Sequence, residues 1–564
     1  MKYSRLFGKT VREEPKNASN ISHKLLYKAG FIRESVAGRY YFLTLGNIVR
    51  KKIMAVIKEE MDKAGAQEVL APTLHPLELW EETNRVSSSN FELMTVKDRR
   101  GAGFALGGTA EEMIVDLVRK FQISYRDLPF NLYQFSTKFR DEIRAKGGLI
   151  RAREFTMKDG YSFHATEEDF DKEYQNMSDT YSRLFSRLGL DTIPVPADNG
   201  YFGGDYCHEF DVLCDGGESL FFTNEDGSYI AHEDIAEFKL EDMNPDEEIL
   251  YMKIIEQPEW VKTMDDNQKH YGQPIWKYLK NVVYKNRVTG EIIIASIRGD
   301  LDVNKNKLEH VLDTVGLLDD ASDEDLESIG TKSGYVHCWG NTDSRVKYVG
   351  DNSLRTVRNF IGGQKSDDKD SINVNYGRDF EHDITADIAL AKEGFYDPQG
   401  KSRLTLKKGL EVGNIFQLGQ HYPKLMKGAE FDDADGKTKM YYMGCYGIGV
   451  ERTLAAIVEC HNDSKGIIWP DVVSPFKYHL ISDNDPEAIK LAESIYEKVK
   501  DDCLWDERSN SMGEKFADAD LIGCTYRIVC SKRSIQNGGL EVKRRDSDQI
   551  RFVKDINELL SETE

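Results

Sequence analysis

Long hydrophobic runs and paired cysteines are both missing from this sequence. Its longest apolar stretches fall far below the ~20 residues of a membrane-spanning helix, so we predict no membrane span. Residues 1–15 have no apolar core, which does not fit a signal peptide, and we expect a cytoplasmic protein. None of the eight cysteines forms a Cys-x-x-Cys pair, which disfavours a disulfide framework in so large a chain and also a structural zinc site.

The sequence also has fewer basic than acidic residues, with 75 lysines and arginines against 97 aspartates and glutamates. The formal charge of −22 disfavours broad, charge-driven binding to nucleic acid, although a partner recognised by a local basic patch is still allowed. Hydrophobic residues make up 40% and charged residues 30% of the 564 positions. This is the composition of a globular protein, and the length predicts about three domains.

Hydrophobic periodicity indicates a mixture of helices and strands. Over 46–65, apolar residues recur at helical spacing, and Gly65 follows as a C-terminal stop. Over 130–140, aromatic and threonine side chains alternate with polar ones, as in a strand with one polar face. A charged turn at 144–149 and a second strand-like run through Phe155 complete a predicted antiparallel hairpin.

Changes in composition divide the chain into three predicted units. The segment 224–372 begins with an acidic stretch and has its own helix and strand signals, so we predict a domain inserted into another one. Near 471–477 a proline-containing connector precedes strand and helix patterns of a βαβ-like unit. We therefore predict a discontinuous first domain (1–223 plus 373–470), an inserted domain (224–372) and a C-terminal domain (471–564).

The predicted hairpin has arginines and an aromatic ring on its polar face. Period-2 geometry places Arg140 and Glu142 on one face, and it likewise places Arg151 and Phe155 on one face of the return strand. Arginine forks suit phosphate oxygens, and an aromatic ring can stack on a purine. An exposed, salt-bridged hairpin is the alternative for an isolated Arg-x-Glu, but the whole pattern favours a nucleotide site.

A second motif is the glycine-rich run 444–449 followed by Glu451 and Arg452. Glycine lets the backbone approach a ligand closely. A helix then begins, and Arg452 in its first turn can cover a nucleotide base by cation–π stacking. A Gly-x-Gly alone is more often a tight turn, but the Glu-Arg pair directly behind it favours a binding role.

A third motif, Gly107 to Glu112, precedes an amphipathic run. Its Thr-x-x-Glu spacing predicts a capping box in which Thr109 caps the helix and Glu112 reaches back. That interpretation is favoured by spacing alone. It leaves Glu111 available to hold an ammonium group.

These three motifs together resemble the class II aminoacyl-tRNA synthetases. The hairpin is similar to their motif 2, the glycine-rich run to motif 3, and residues 65–80 to motif 1, which builds the dimer interface in the family. Further stretches narrow the resemblance to prolyl-tRNA synthetases of the bacterial type; they include FSTKFRDE, RAREFTMKDGYSFH, GGDYCHEF, GLEVGNIFQLG, MGCYGIGVER and EKFADADLIG. The implied fold is an α+β catalytic domain on an antiparallel sheet, with an inserted α/β editing-like domain and a C-terminal α/β anticodon-binding domain.

The resemblance implies an enzyme that activates proline with ATP as prolyl-adenylate and transfers it to tRNA(Pro), as a homodimer. The reaction needs an in-line attack on the α-phosphate, helped by positive groups and Mg²⁺. Arg140 and Arg452 would be catalytic. The implied ATP-binding residues are Arg140, Glu142, Arg151, Phe155, Gln417 and Arg452, and Glu411 is a magnesium candidate whose alternative is an ordinary exposed carboxylate. The implied proline-binding residues are Thr109, Glu111, Arg140, His208, Asn414 and Cys445.

The resemblance also implies sites for RNA and for editing. Arg144 and Lys146 in the hairpin turn would meet the acceptor stem, and Arg508 and Lys515 would meet tRNA in the C-terminal domain. Lys280 matches the family's editing lysine, with a solvated lysine as the alternative. The chain departs from the family at three positions, where Asn414 and Ala110 replace histidine and Ser333 replaces proline.

Three other functions fit part of the sequence. A synthetase for threonine or serine would keep motifs 2 and 3, but the Thr-x-Glu at 109–111 and the lack of zinc-ligand spacing count against it. A catalytically silent binding relative would lose the ATP arginines, which are all present here. A free-standing deacylase would use the inserted segment alone and would make no prolyl-adenylate.

Overall fold

A computed structural model describes residues 1–16, 18–86, 93–200, 204 and 206–563. Within these ranges, no helix is long and apolar enough to cross a bilayer. Of the quoted stretch 203–210, residues 203 and 205 lie outside the described residues.

A nine-stranded sheet forms the centre of the first unit, and nearly all of its pairings are antiparallel. Its strands are Gln67–Glu68, Phe130–Phe139, Glu154–His164, Thr192–Ala197, Tyr206–Leu213, Ser219–Thr223, Ile230–His232, Thr405–Gly419 and Tyr442–Gly449. Phe130–Phe139 and Glu154–His164 are adjacent and antiparallel, which confirms the predicted hairpin. We call Thr405–Gly419 the long strand and Tyr442–Gly449 the glycine strand.

Helices cover one face of this sheet. They include Thr44–Lys63, Glu167–Arg187 and Val450–Cys460, which we call the glycine-led helix. The predicted apolar stripe of the first of these is confirmed, because Ile53, Val56, Ile57 and Met61 are buried in the main core. Gly65 follows with a φ of 88°, a conformation that terminates a helix without steric cost. The other helices of this unit are Ile21–Lys28, Leu77–Glu82, Glu111–Val118 and His421–Leu425.

The opposite face of the same strands carries the polar side chains. Strand residues alternate between faces, and Tyr446 and Ile448 point into the helical core. Cys445 therefore lies on the other face, paired in register with Phe416. Small additional ladders lie at the periphery, namely Ile32–Val36 with Arg39–Phe42, Leu74–Pro76 with Gly103–Leu106 and Met94–Lys97, Glu430–Asp432 with Thr438–Met440, and Asn462–Asp463 with Gly466–Ile467.

The inserted segment has its own two sheets. The larger one is mixed, and its strands are Leu279–Asn286, Ile292–Arg298, Leu318–Asp320, Val346–Asp351 and Ile384–Ala386. The smaller one consists of Lys253–Glu256, Phe360–Ile361 and Lys369–Val374, and the helices are Met264–Tyr271, Lys305–Val311 and Asp323–Ser328. The strand Ile230–His232 lies after residue 224 but still belongs to the central sheet, and the strand Ile384–Ala386 lies after residue 372 but belongs to the larger sheet of the inserted segment. By sheet membership, the inserted unit therefore begins and ends later in the chain than the predicted limits of 224 and 372. The domain limits stay a prediction.

The C-terminal unit is an α/β sheet. Its strands are Tyr478–Ser482, Cys503–Asp506, Tyr526–Cys530, Leu540–Arg544 and Ile550–Val553, and its helices are Pro486–Val499, Met512–Ile522, Lys532–Gln536 and Ile556–Thr563. The first three strands pair in parallel, as the βαβ-like pattern predicted. The chain's first residues pack against this unit, where Trp505 N donates to Met1 O at 2.9 Å and the Arg508 guanidinium lies 3.8 Å from the Tyr3 ring centroid.

Candidate active site

A cavity of about 300 Å³ opens on the polar face of the central sheet. The hairpin, the long strand, the glycine strand and the start of the glycine-led helix surround it. It brings together nine of the residues predicted from the sequence, namely Thr109, Arg140, Glu142, Arg151, Phe155, Glu411, Asn414, Cys445 and Arg452. Residues from distant parts of the chain therefore meet in one site.

One end of the cavity holds a cation beside an aromatic ring. Arg140 directly follows the strand Phe130–Phe139, and its guanidinium lies 5.4 Å from the centroid of the Phe155 ring. Its Nε also donates to Gly108 O at 3.3 Å. The arrangement is suited to a planar, negatively charged ligand, since the ring offers a stacking surface and the guanidinium offers a positive fork.

A small ion-pair network orders the hairpin turn. Arg151 Nε donates to Glu142 Oε2 at 2.9 Å, and Arg151 Nη1 lies 3.9 Å from Glu218 Oε2. Lys146 Nζ binds Glu218 Oε1 at 2.9 Å. The Arg151 side chain is still 44% exposed, so its guanidinium can also meet a ligand.

Arg452 joins the glycine-led helix to both sides of the cavity. Its Nε donates to Ile150 O at 2.9 Å, and its Nη1 donates to Glu411 Oε2 at 2.8 Å. The preceding residue, Glu451, is buried and accepts from Thr156 N at 2.7 Å and from Arg50 Nε at 2.8 Å. Glu451 thus fixes the helix against the hairpin. The sequence motif favoured a binding role for the Glu-Arg pair but did not predict this positioning role of Glu451.

The predicted capping box at Thr109 is wrong. The helix Glu111–Val118 has Ala110 at its N-cap, and the Thr109 hydroxyl lies 2.6 Å and 2.7 Å from the two oxygens of Glu111. Glu112 accepts from Thr83 at 2.9 Å and from Arg85 at 2.8 Å instead of reaching back. The Thr-x-x-Glu spacing is that of a capping box. Glu112 instead binds the buried Arg85, which lies outside the motif, because a charged donor forms a stronger hydrogen bond with a carboxylate than a backbone N–H does.

Glu111 is a fully buried carboxylate next to the cavity; it is not among the described lining residues but contacts two of them, Thr109 and Cys445. Besides Thr109, it accepts from Cys445 Sγ at 3.3 Å and lies 3.3 Å from Arg85 Nη1. Arg85 compensates for the burial of two neighbouring acids. Sequence reasoning missed it, because an arginine in an irregular stretch carries no local signal of its three-dimensional partners.

A second buried network of hydrogen bonds lies next to Thr109 and Ala110. Lys138 Nζ donates to Asp159 at 2.9 Å, and Tyr161 OH donates to the same carboxylate at 3.1 Å. Ala110 N donates to Tyr161 OH at 2.9 Å. Burial raises the pKa of Tyr161 and of the Cys445 thiol, so both stay protonated at neutral pH.

Glu209 is an acidic cavity residue that the sequence did not single out. It lies opposite Asn414 in the strand register. Burial, with a further contribution from the negative charge of Glu411, raises its pKa from 4.5 to about 8. Glu209 is therefore protonated in the folded protein at neutral pH.

The raised pKa of Glu209 predicts a pH-dependent stability. Between about pH 5 and pH 8 the folded state keeps a proton that the unfolded chain has lost, so the contribution of Glu209 to stability falls as pH rises through 8. Glu209→Gln does not titrate. We expect its free energy of unfolding in urea, relative to wild type, to increase steadily from pH 5 to pH 8.5; a constant difference would contradict the raised pKa.

The structure does not bring His208 or Gln417 to the cavity wall, as neither is among the described lining residues. His208 alternates with Glu209 on its strand and points to the helical face, where its Nδ1 lies 2.8 Å from Tyr174 OH. Gln417 is buried on the long strand beside Phe416. Whether a strand side chain points to the helices or to the cavity depends on which face of the sheet packs on helices. The sequence motifs around His208 and Gln417 do not contain that information.

Lys280 lies in the inserted unit, on the strand Leu279–Asn286. Its Nζ forms an ion pair with Asp302 and donates to Leu301 O at 3.2 Å. The neighbouring Asn281 donates to Val336 O at 2.7 Å, so the loop 330–340 packs on the strand face opposite to Lys280. Ser333 is exposed in that loop.

The predicted RNA contacts differ in exposure. Arg144 and Lys146 are exposed in the hairpin turn. Lys515, in contrast, is 0% exposed and donates to Ser482 O at 2.6 Å, and Arg508 is held by Asp506 at 2.6 Å and Asp518 at 2.8 Å. The structure therefore does not support a tRNA contact at Lys515 or Arg508.

Comparison with family models places this site in a known class. Residues 94–461 match the model described as tRNA synthetase class II core domain (G, H, P, S and T), and residues 472–562 match the model described as Anticodon binding domain. Solved structures agree on the fold. A Giardia lamblia prolyl-tRNA synthetase in complex with prolyl-adenylate aligns with a TM-score of 0.57 at 17% identity, over 96% of this chain and 75% of that one. Fold and cavity together define a class II aminoacyl-tRNA synthetase.

Full-length relatives identify the family within this class. A proline–tRNA ligase of Fusobacterium nucleatum is 40% identical over 100% of this chain and 98% of its own length. Those of Aquifex aeolicus and Persephonella marina are 42% and 43% identical, over 97% and 99% of this chain and 96% and 99% of their own lengths. The chain belongs to the proline–tRNA ligase family.

Proposed function

We infer that this chain uses ATP to activate proline as prolyl-adenylate and then transfers the prolyl group to tRNA(Pro). The observation that carries the inference is the cavity itself, which is lined by Arg140, Arg452 and Phe155 and whose lining residues Thr109 and Cys445 contact the buried Glu111. Those groups complement a nucleotide and an amino acid held end to end. The family membership supports the same reaction.

At the ATP end, Phe155 and Arg452 stack on the adenine, and Arg140 and Arg151 bind phosphate oxygens. Attack of the proline carboxylate on the α-phosphate creates negative charge, and preorganised guanidinium groups stabilise it without reorganisation. Glu142 holds Arg151 in place for this task.

At the amino-acid end, Glu111 and Thr109 bind the cationic amine of proline. The Asn414 Oδ1 is buried and, within the described residues, has no hydrogen-bond partner, so it offers an acceptor to the same N–H groups. The neutral Cys445 thiol and Phe416 close the pocket around the ring.

Magnesium fits the ATP end. Glu411 lines the cavity, and one of its carboxylate oxygens is used by Arg452 while the carboxylate as a whole remains 31% exposed. Carboxylate and phosphate oxygens are the ligands that Mg²⁺ prefers. When bound, the ion neutralises charge on the phosphates, and Glu411 would hold it on the protein side.

The amino-acid dependence of ATP–pyrophosphate exchange tests the proposed function. We expect exchange to require proline, with threonine and serine inactive at equal concentration. Exchange driven best by threonine or serine would assign the enzyme to another substrate. No exchange with any amino acid would favour a silent binding relative.

We propose a cytoplasmic homodimer that binds the tRNA acceptor stem through Arg144 and Lys146. Support for the dimer comes from the segment 65–80, where Leu70 is 79% exposed and Leu74 is 44% exposed. The C-terminal unit would bind the anticodon.

We also propose that the inserted unit hydrolyses alanine attached to tRNA(Pro). Alanine is smaller than proline, and a missing methylene costs an ill-fitting substrate only about 1–3 kcal/mol in binding, so a second site adds needed selectivity. Lys280 has a fixed position through Asp302 and a 27% exposed side chain, which leaves its ammonium within reach of a ligand.

Replacement of Lys280 tests this editing role. We expect Lys280→Ala to lower the rate of alanyl-tRNA(Pro) hydrolysis at least about tenfold, because the ammonium no longer fixes the substrate, while proline activation is unchanged. Lys285→Ala is the matched control, since that residue lies on the same strand and pairs with Asp325. Equal hydrolysis by wild type and Lys280→Ala would reject the role of Lys280.

A further inference from the structure

A short β-hairpin beside the central sheet carries a cluster of cations. Its two strands are Met94–Lys97 and Gly103–Leu106, which pair antiparallel. Lys97, Arg99 and Arg100 lie at the turn between them, and all three are exposed. We call these three residues the basic tip. In a chain with a formal charge of −22, three cations within four positions form a local positive patch.

Hydrogen bonds within the turn hold the basic tip in shape. Asp98 Oδ1 accepts from Arg100 N at 2.8 Å and from Ala102 N at 2.9 Å, and Asp98 N donates to Ala102 O at 3.0 Å. Gly101 closes the turn with a φ of 86°, a conformation that glycine adopts without steric cost. Within the part of the chain that the structure describes, no residue of the basic tip forms an ion pair. The positive charge of the basic tip therefore faces solvent.

The second strand of this hairpin leads directly into the candidate active site. Beyond its end, Gly107 O accepts from Phe139 N at 3.1 Å and Gly108 O accepts from Arg140 Nε at 3.3 Å. The next residue is Thr109, which lines the cavity. Since an extended chain rises at most ~3.6 Å per residue, the basic tip lies within about 30 Å of Gly108. Strand pairing and these hydrogen bonds connect the basic tip rigidly to the cavity wall.

We propose that the basic tip binds the sugar-phosphate backbone of the acceptor stem of tRNA(Pro), an inference that rests on the proposed function. Arginine forks bind phosphate oxygens bidentately, and a lysine binds them as a point charge. Such contacts strengthen binding and fix the orientation of the RNA without reading its sequence. An acidic surface of a second copy would also match the charge. RNA is favoured because the basic tip is joined to the cavity in which the 3′ end of the tRNA has to react.

The salt dependence of tRNA binding to the full-length protein tests the proposal. We would measure the Kd of an unmodified tRNA(Pro) transcript by fluorescence anisotropy between about 50 and 200 mM NaCl. The Arg99→Ala, Arg100→Ala double variant should weaken binding about 5- to 10-fold at the lower salt concentration. It should also reduce the slope of log Kd against log salt by about 1.5 to 2, because each phosphate contact contributes roughly 0.7–0.9. Arg99→Lys, Arg100→Lys should keep most of this slope.

A matched control removes two cations from the other face of the molecule. Lys51 and Lys63 are exposed on the helix Thr44–Lys63, which covers the face of the central sheet opposite to the cavity. The Lys51→Ala, Lys63→Ala double variant should keep the wild-type slope. A wild-type slope in the Arg99→Ala, Arg100→Ala variant would overturn the proposal, and if that variant instead dissociated into monomers in sedimentation, the basic tip would belong to a subunit interface.

Proline-dependent pyrophosphate exchange separates this proposal from the proposed function, because exchange needs no tRNA. The Arg99→Ala, Arg100→Ala variant should catalyse exchange at the wild-type rate, which also shows that it is folded. Wild-type protein without exchange activity would reject the proposed function. An unchanged salt slope in a variant that catalyses exchange would reject the role of the basic tip alone.

Discussion

Arg452→Ala is expected to lower kcat/KM for ATP in proline-dependent pyrophosphate exchange by about 100- to 1,000-fold. The guanidinium bridges Ile150 O and Glu411 across the cavity. Its removal takes away the cation that covers the nucleotide and also leaves the Glu411 charge uncompensated where phosphates must bind. Both losses act on the same substrate, which is why the expected effect is large.

Two further variants sharpen this test. Arg452→Lys keeps the charge but cannot reach both partners with one planar fork, so an intermediate activity is expected. Arg345→Ala removes an arginine of the inserted unit that pairs with Asp343, and exchange should be unchanged. Activity of Arg452→Ala at the wild-type level would show that ATP binds elsewhere.

Glu111→Gln is expected to raise the KM for proline about 100-fold, which corresponds to about 2.7 kcal/mol of lost binding energy. The carboxylate is fully buried and contacts Thr109 and Cys445, which both line the cavity. An amide keeps the shape but loses the charge that attracts the amine of proline. The KM for ATP should change much less, because the proposed function assigns ATP to other residues, namely Phe155, Arg140, Arg151 and Arg452.

The neighbouring acid provides a matched control. Glu112 is equally buried and binds Arg85 even more closely, at 2.8 Å, but its side-chain partners Thr83 and Arg85 are not among the described residues that line the cavity, whereas Glu111 contacts the lining residues Thr109 and Cys445. Glu112→Gln should therefore lower the melting temperature while the KM for proline stays near the wild-type value. If both variants raised this KM equally, the effect would belong to the shared ion pairs and not to proline binding.

The parts of the fold that the sequence predicted depend on local patterns. The hairpin follows from alternation at 130–140, and the helix Thr44–Lys63 follows from its apolar stripe. Each pattern spans fewer than about 20 residues and is dictated by backbone geometry. The hairpin and the glycine-rich motif 444–452 together supply about half of the residues that line the cavity, so about half of the lining follows from local patterns.

The parts that failed depend on contacts between distant segments. Arg85, from outside the motif, binds Glu112 in place of the expected capping box, and Lys515 on the helix Met512–Ile522 is buried with its ammonium donating to Ser482 O of a neighbouring strand. His208 faces the helices since that face of its strand packs on Tyr174. None of these partners is visible from spacing along the chain.

A crystal structure with a non-hydrolysable prolyl-adenylate analogue tests the central claim most directly. The adenine should lie on Phe155 beneath Arg452, the phosphate should contact Arg140, and the prolyl nitrogen should lie within hydrogen-bond distance of Glu111. An analogue bound outside this cavity, or bound in it with the prolyl group at the Phe155 end, would contradict the account.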